Sequence, residues 1–235
     1  MTGAPAGNAD VNFCEALVQA CRELTRRGLS YGTSGNISIR RDERSCYISP
    51  TGSVYEELTA ADIPLLHFDG RWFGHRRPSS EWRFHRDLLR ARPDVGAIVH
   101  THSRYATALA CTGRRIPAFH YMVAVTGDIE IRCTPYHTFG SQELSDAVLT
   151  TLRGSKACLL GNHGVIAVGA DLAEALTLAG EVENLAAQYT TALALGDVRI
   201  LDTAEMWRVV EKFRTYGKPD ALDSELIFGG GPAHV

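Results

Sequence analysis

Three histidines are the residues of this chain whose type and spacing best suit a metal site. His100 and His102 are separated by one residue in an apolar run that follows Pro93 and has the pattern of a strand. Side chains two positions apart on a strand point to the same face of the sheet, so both imidazoles can converge on one ion. The pair is weak support by itself, because two half-buried strand histidines give the same pattern.

His163 is the candidate third ligand. It lies in the turn Gly161-Asn162-His163-Gly164 between two apolar runs, and the neighbouring glycines allow the backbone to bend close to another segment of the chain. Three neutral imidazoles leave the fourth coordination position of Zn²⁺ open. That arrangement is typical of a catalytic zinc site rather than a structural one.

Glu81 is the candidate catalytic carboxylate. It follows Pro78-Ser79-Ser80 at the predicted start of a helix, where the helix dipole favours a negative charge without any catalytic role. A carboxylate beside a metal-polarised carbonyl can also serve as a general base, because the proton alpha to that carbonyl becomes acidic enough to remove. The residues alone leave both interpretations open.

Small-residue loops are the candidate anion sites. Three segments combine hydroxyl or amide side chains with glycine or a helix start: Thr33-Ser34-Gly35-Asn36, Pro50-Thr51-Gly52-Ser53 and Ser79-Ser80. Backbone amides freed by glycine and the N-terminus of a helix bind phosphate without net positive charge. Ordinary turn chemistry is the alternative for each loop taken alone.

The elements that must position these residues follow from apolar periodicity and turn signals. Helices are predicted over 9–27, from about Glu81, and over 103–110, 142–152, 171–195 and 204–215. Strands are predicted over 37–40, 45–49, 65–68, 97–102, 129–132, 157–160 and 165–168. The pattern indicates the α/β class, with a central, mainly antiparallel sheet covered by helices, as a single domain over 1–235. The tail, about 226–235, is predicted to be flexible.

Composition excludes several classes of partner. The formal net charge is -3 with an isoelectric point of 6.3, and no basic run is present, so neither nucleic acid nor a membrane is an expected partner. The first ten residues do not resemble a signal peptide, and no run approaches the ~18 apolar residues that span a bilayer. We therefore expect a cytoplasmic protein. Six cysteines without a C-x-x-C pair fit reduced thiols.

Taken together, these residues resemble the class II aldolase family, and within it the L-fuculose-1-phosphate aldolases. The similar segments occur in the same order and spacing along most of the chain. They are 28–29, 32–38, 48–52, 78–85, 99–102, 116–118, 120–122, 135–136, 138–140, 163–164 and 211–217.

This resemblance implies a three-layer sandwich and a zinc-dependent aldolase. The implied reaction cleaves a ketose 1-phosphate resembling L-fuculose 1-phosphate to dihydroxyacetone phosphate and a small aldehyde such as L-lactaldehyde. Zinc is assigned to His100, His102 and His163, while Glu81 completes the metal shell and acts as acid and base. The phosphate-binding residues implied by the family are Asn36, Thr51, Gly52, Ser79 and Ser80.

The resemblance also implies a four-fold homotetramer with active sites at subunit interfaces. Tyr121 matches the family's catalytic tyrosine, which reaches in from a neighbouring subunit, and Phe213 and Tyr216 would act across the same interface. Five other histidines are expected not to be ligands, and three apolar aromatics are expected to pack in the core or an interface. These are His67, His75, His85, His120 and His137, and Trp72, Phe73 and Trp207.

Departures from the family pattern leave the substrate open. They occur at Gly127-Asp128-Ile129 and at His137, near the expected aldehyde end, whereas a further departure at Asn162, just before the third ligand, is not expected to disturb zinc. The alternatives are an aldolase acting on 5-deoxyribulose or methylthioribulose 1-phosphate, a pentulose-phosphate 4-epimerase, and a methylthioribulose-1-phosphate dehydratase. A non-catalytic, adducin-like scaffold is disfavoured, because those relatives lack the metal-binding residues that this chain has.

Overall fold

The computed structural model describes residues 8–216, and its helices agree with the predicted helix boundaries to within one residue. The helices are α1 (Asn8–Arg26), α2 (Trp82–Ala91), α3 (Arg104–Ala110), α4 (Gln142–Thr151), α5 (Leu172–Leu195) and α6 (Thr203–Thr215). Short 3₁₀ helices cover Tyr55–Glu57, Ala60–Asp62 and Tyr121–Thr126. The predicted flexible tail lies outside the described residues. Within 8–216, no helix has the length and apolar character needed to cross a bilayer.

Eight strands form one sheet. They are β1 (Asn36–Asp42), β2 (Ser45–Ile48), β3 (Leu65–His67), β4 (Trp72–Phe73), β5 (Ala97–Thr101), β6 (Cys133–Thr134), β7 (Ala157–Leu160) and β8 (Gly164–Gly169). Their order is β4-β3-β2-β1-β5-β8-β7-β6, and every neighbouring pair is antiparallel except β6 with β7. The predicted α/β class and mainly antiparallel sheet are confirmed.

Helices cover both faces of this sheet, because successive strand residues point to opposite sides. On β5, Val99 packs into a core with α1, α3, α5 and α6, whereas Ile98 packs into a second core with α2 and α4. On β8, Val165 packs into the first of these cores and Ile166 into the second. The predicted three layers are therefore present, and His100 shares the α2 face of β5 with Ile98.

The predicted strand over 129–132 is wrong in position. Ile131 forms only an isolated bridge with Ile116, and the strand in this region is the two-residue β6. Asp128 accounts for the interruption, since its carboxylate accepts from the Ile129 amide at 2.7 Å and from Arg132 Nη2 at 2.6 Å. A local side-chain acceptor of this kind competes with the sheet for backbone donors.

The aromatics Trp72, Phe73 and Trp207 do not pack in the core. Their exposed fractions are 38%, 53% and 49%. Trp72 and Phe73 form β4 at the edge of the sheet, which leaves their side chains open to solvent within one chain. Core packing was the wrong expectation for all three, while interface packing stays a prediction.

Candidate metal centre and phosphate cavity

His100 is held in one tautomer by the neighbouring strand. Its Nδ1 lies 2.9 Å from the carbonyl oxygen of Val165 on β8. A carbonyl only accepts hydrogen bonds, so Nδ1 carries the proton and a neutral His100 presents a lone pair at Nε2. The ring is fully buried and is packed edge-on against Phe84 of α2.

His102 and His163 complete a compact group of three rings. β5 ends at Thr101, and His102, the next residue, brings its Nε2 to 3.0 Å from His100 Nε2. The three ring centroids lie 4.8–4.9 Å apart, with interplanar angles of 74–77°. The predicted convergence of two histidines from β5 and one from a separate turn is therefore present.

Gly164 allows the turn that carries His163 to approach β5. A Cβ atom at this position would lie 2.3 Å from the carbonyl oxygen of Thr101 and 3.0 Å from the His102 ring. The preceding Asn162 has a left-handed φ of 53°, a conformation that asparagine tolerates better than most residues. The predicted close approach at this glycine-rich turn is a direct backbone contact.

Glu81 faces the three rings from the start of α2. Its Oε2 lies 3.0 Å from His100 Nε2, and its Oε1 lies 3.4 Å from His163 Nε2. Asn36 Nδ2 donates to Oε2 at 3.1 Å, whereas Oε1 is buried without a hydrogen-bond partner. One ligand atom from each of Glu81, His100, His102 and His163 lies within 4.8 Å of the others.

These four side chains fit a divalent cation. His100 Nε2 presents its lone pair to the ionised Glu81 Oε2 at 3.0 Å, and two acceptors at this distance repel each other unless a cation lies between them. Tetrahedral zinc with nitrogen ligands at its usual distance separates neighbouring ligands by about 3.3 Å. The measured separations of 3.0 and 3.4 Å are close to that value, and a cation would also give the orphaned Oε1 a partner.

Electrostatics favour the protonation states that bind a metal. Burial, followed by repulsion from His100, lowers the pKa of His102 and His163 to about 4, so both are neutral at neutral pH. Burial opposes ionisation of Glu81, but His100, His163 and the Asn36 amide outweigh it and hold the pKa of that carboxyl well below its usual value. Metal ligands must be deprotonated, and these three are.

A cavity of about 300 Å³ opens beside this cluster and brings together all five predicted phosphate-binding residues. They are Asn36, Thr51, Gly52, Ser79 and Ser80. Glu81, His102 and His163 line the same cavity. The three small-residue loops, which are far apart in sequence, therefore face one space with the metal-binding residues.

Two of the loops are joined by backbone pairing. The amide of Thr51 donates to the Arg77 carbonyl at 3.1 Å, and the amide of Ser79 donates to the Ser49 carbonyl at 3.0 Å. These two amides are already used, so Thr51 and Ser79 would reach a phosphate through their hydroxyl groups. Ser79 Oγ also accepts from the Glu81 amide at 3.2 Å, which fixes the start of α2.

Gly35 couples the first loop to the metal-binding strand. Its φ is +81°, and a Cβ atom there would lie 2.8 Å from the carbonyl oxygen of His100. Only glycine fits this backbone conformation and this contact. The next residue, Asn36, pairs with His100 in the antiparallel register of β1 and β5.

In the segment 136–139, Tyr136, His137 and Phe139 also line the cavity, and of these the sequence analysis singled out only His137, as a departure from the family pattern that bears on the substrate. Tyr136 and Phe139 are exposed aromatics on this wall, at 60% and 64%. Gly140, with φ +71°, lets the segment approach the Ser80 carbonyl, and Arg83 Nη1 donates to the Gly140 carbonyl at 2.7 Å. The glycine after Thr138-Phe139 is the sequence signal that could have pointed to this wall.

Tyr121 does not reach the cavity of its own chain. It is half-exposed and stacks parallel to Phe213, with ring centroids 6.5 Å apart. With Tyr216 these residues line a second cavity of about 460 Å³. The expected action of Tyr121 across a subunit interface therefore stays a prediction.

Comparison with known proteins decides the family. Residues 15–190 match the family model described as Class II Aldolase and Adducin N-terminal domain. The chain belongs to the class II aldolase family. It is 50% identical over 208 residues to the 5-methylthioribulose-1-phosphate/5-deoxyribulose-1-phosphate aldolase of Rhodospirillum rubrum, covering 88% of this chain and 94% of that protein. It is 46% identical over 202 residues to the L-fuculose phosphate aldolase of Escherichia coli strain K12, covering 86% and 94%.

Solved structures agree with this assignment. A structure named L-fuculose 1-phosphate aldolase superimposes with a TM-score of 0.84 at 34% identity, over 89% of this chain and 98% of that one. The predicted fold and family are confirmed, and the chain is a lyase of the class II aldolase type. Class II aldolases depend on a metal, and the Glu81 and histidine cluster is the candidate site for it.

Proposed function

We propose that this aldolase uses zinc to cleave a ketose 1-phosphate into dihydroxyacetone phosphate and a small aldehyde. One observation carries the proposal: Glu81, His102 and His163 open onto the same cavity as the hydroxyl and amide groups of three small-residue loops. A sugar phosphate placed there would have its anionic end on the loops and its reacting carbons at the imidazoles. L-fuculose 1-phosphate, which would give L-lactaldehyde, is one substrate candidate, since the Escherichia coli relative at 46% identity is named for it.

The anionic end of the substrate is the part that the loops recognise. The exposed Thr51 and Ser80, with Gly52 at φ +60°, lie at the start of α2 and in the adjoining turn. Hydroxyl groups and the positive end of a helix bind phosphate in a chain with no net positive charge. Holding the phosphate fixes the position of the remote carbons, and this lowers the entropic cost of reaching the transition state.

Glu81 is the proposed acid and base. When bound, zinc supplies Lewis-acid polarisation of the substrate carbonyl. Glu81 Oε2 is held by Asn36, whereas Oε1 has no hydrogen-bond partner, so Oε1 is the atom we assign to proton transfer with the substrate carbon. The carboxylate is ionised in this environment, so it is able to accept a proton.

Tyr121 is proposed to act in a neighbouring subunit of a homotetramer, where its phenol would exchange a proton with the hydroxyl on the fourth carbon. The support is its position: the side chain is half-exposed, lines the second cavity rather than the one beside the histidines of its own chain, and is stacked on Phe213. A second chain is then needed to complete each site.

A second substrate candidate is 5-deoxyribulose 1-phosphate or 5-methylthioribulose 1-phosphate. The relative from Rhodospirillum rubrum, at 50% identity, is named for both. The exposed rings of Tyr136 and Phe139 on the cavity wall also suit an aldehyde fragment that ends in a methylthio group.

A coupled assay for dihydroxyacetone phosphate tests the proposal. The purified protein is given L-fuculose, 5-deoxyribulose and 5-methylthioribulose 1-phosphates, with and without a chelator. We expect release of dihydroxyacetone phosphate from at least one of them, loss of turnover after chelation, and recovery on adding Zn²⁺. Formation of an epimer or a dehydrated diketone instead would refute the aldol cleavage and favour the epimerase or the dehydratase.

A further inference from the structure

A line of buried polar side chains runs behind Glu81, away from the cavity. Ser38 Oγ lies 2.7 Å from His85 Nδ1, His85 Nε2 lies 2.5 Å from Asn36 Oδ1, and Asn36 Nδ2 lies 3.1 Å from Glu81 Oε2. Ser38 and His85 are fully buried, and Asn36 and Glu81 are 4% and 6% exposed. β1 supplies Ser38 and Asn36, and α2 supplies His85.

Glu81, at the end of this line, determines which group donates and which accepts in each of its hydrogen bonds. An ionised Glu81 carboxylate only accepts, so the Asn36 amide must turn its nitrogen toward Glu81 and its oxygen toward His85. His85 must therefore carry its proton on Nε2 and accept at Nδ1 from the Ser38 hydroxyl. Burial, with the nearby His100, lowers the pKa of His85 to about 3, so the ring is neutral as this pattern requires.

We propose that His85 is a positioning residue that fixes the orientation of the Asn36 amide and, through it, the Glu81 carboxylate. Holding Oε2 in place fixes the carboxylate against the imidazoles, with Oε2 3.0 Å from His100 Nε2 and Oε1 3.4 Å from His163 Nε2. Without His85, Asn36 Oδ1 loses this hydrogen-bond donor, so the amide is held less firmly with its nitrogen toward Glu81. The inference rests on the proposed role of Glu81 as acid and base.

A packing role alone does not explain a histidine at this position. The ring stacks on Phe84, with centroids 4.6 Å apart, and an apolar ring could keep that contact. Burying an imidazole is unfavourable unless both nitrogens find partners, and both do here. Both ring nitrogens have partners, and the charge on Glu81 sets the direction of their hydrogen bonds. We infer that these hydrogen bonds themselves are needed.

Three variants test the proposal. His85→Phe keeps the ring stacking and removes both hydrogen bonds, whereas His85→Gln places an amide N–H near the position of Nε2 and keeps the donor to Asn36. Ser145→Ala is the matched control, because Ser145 is also fully buried and donates one 2.7 Å hydrogen bond, to Asp87 Oδ2, outside the cavity.

For His85→Phe we expect kcat to fall by about tenfold or more, KM to change by less than about threefold, and zinc content to stay at the wild-type level. His85→Gln should recover most of kcat. Ser145→Ala should lower the melting temperature without changing kcat. Wild-type kcat in His85→Phe, or a loss of kcat that His85→Gln does not recover, would overturn the proposal.

If His85→Phe does not fold, Ser38→Ala takes its place. It deletes only the hydroxyl that faces His85 Nδ1, so we expect a kcat about threefold lower with zinc retained; an unchanged kcat overturns the proposal. A failure of the proposed function is recognised separately, as a wild-type protein that releases no dihydroxyacetone phosphate. In that event, Co²⁺-substituted proteins are compared by visible absorption, which reports ligand geometry. A spectrum altered in His85→Phe and unaltered in Ser145→Ala supports the positioning role, and identical spectra refute it.

Discussion

Replacing Gly164 by alanine tests whether the metal centre depends on the backbone contact between its two chain segments. The added Cβ would lie 2.3 Å from the Thr101 carbonyl oxygen, whereas ordinary contact begins at 3.4 Å. The turn and β5 must therefore separate by about 1 Å. His163 is next to the substituted residue and His102 is next to Thr101, so the two ligands move with the segments that separate.

The magnitude follows from the precision that a metal site needs. Ligand distances are held to within about 0.2 Å, so a displacement of about 1 Å places the three imidazoles out of reach of one ion. We expect zinc affinity to fall by about 10- to 100-fold, the range seen when groups that orient metal ligands are changed. Crowding of the core should also lower the free energy of unfolding by about 1–3 kcal/mol.

Gly180→Ala is the matched control. Gly180 lies in α5, and a Cβ atom there would meet no atom within 4 Å. Alanine is the better helix former by about 1 kcal/mol, so this variant should keep its zinc affinity and melt at the same or a higher temperature. Zinc affinity is measured by competition with a chromophoric chelator and stability by thermal unfolding. A Gly164→Ala protein that binds zinc as tightly as the wild type would refute the contact argument.

Three further predictions concern the ligands and Tyr121. Glu81→Gln should keep the fold and bound zinc but lower kcat by about 10²–10⁴-fold, whereas His102→Ala should lose zinc and activity together; metal analysis beside the aldolase assay separates the two. Tyr121→Phe and His102→Ala subunits, each with little activity alone, should regain activity when unfolded and reassembled together, and no recovery would place Tyr121 outside the neighbouring site. Because His102 and His163 have pKa values of about 4 in the folded protein and about 6.5 when unfolded, the unfolded chain binds more protons between these values. The melting temperature of zinc-free protein should therefore be level above pH 6.5 and fall as the pH decreases toward 4. If it instead rises as the pH decreases from 6.5 to 4, the low pKa values of His102 and His163 are contradicted.

The helices could be predicted because their signals are local. Ser141 accepts a hydrogen bond from the Leu144 amide, and Asp171 accepts one from the Glu174 amide, as expected of residues that cap helix N-termini. Apolar periodicity then continues along each helix to a stop signal, so the few residues around each helix end are enough to predict where it lies. The histidine pair of β5 is equally local, because alternation along a strand fixes which side chains share a face.

The shortest strands could not be predicted, since their partners define them. β4 and β6 contain two residues each, too few for any alternation to be visible. β6 exists because Cys133 and Thr134 pair with Leu159 and Leu160 of β7. The sequence before β6 shows a strand-like run over 129–132, but the Asp128 side chain just before that run takes the Ile129 amide, a backbone donor that a longer strand would need.

The contacts of Asn36 were also outside the reach of sequence reasoning. Its place beside glycine suggested a phosphate loop, and the structure does place it in that cavity. Its amide nitrogen nevertheless donates to Glu81, and its oxygen accepts from His85, residues 45 and 49 positions away. Such partners depend on which strand and helix come together in the fold. Ser38 and His85 lie in the family-like segments 32–38 and 78–85, but the sequence does not show that they meet at Asn36.

The glycines explain how distant segments form one site. Gly35, Gly140 and Gly164 would each place a Cβ atom within 2.8 Å of a backbone carbonyl, those of His100, Ser80 and Thr101. Three walls of the cavity are therefore set by backbone contact, which side-chain substitutions elsewhere cannot easily change. This frame holds the candidate metal ligands and the proposed phosphate-binding groups at fixed separation, as the proposed reaction on a sugar phosphate requires. Variation in substrate is then left to side chains on the exposed wall, where Tyr136 and Phe139 lie.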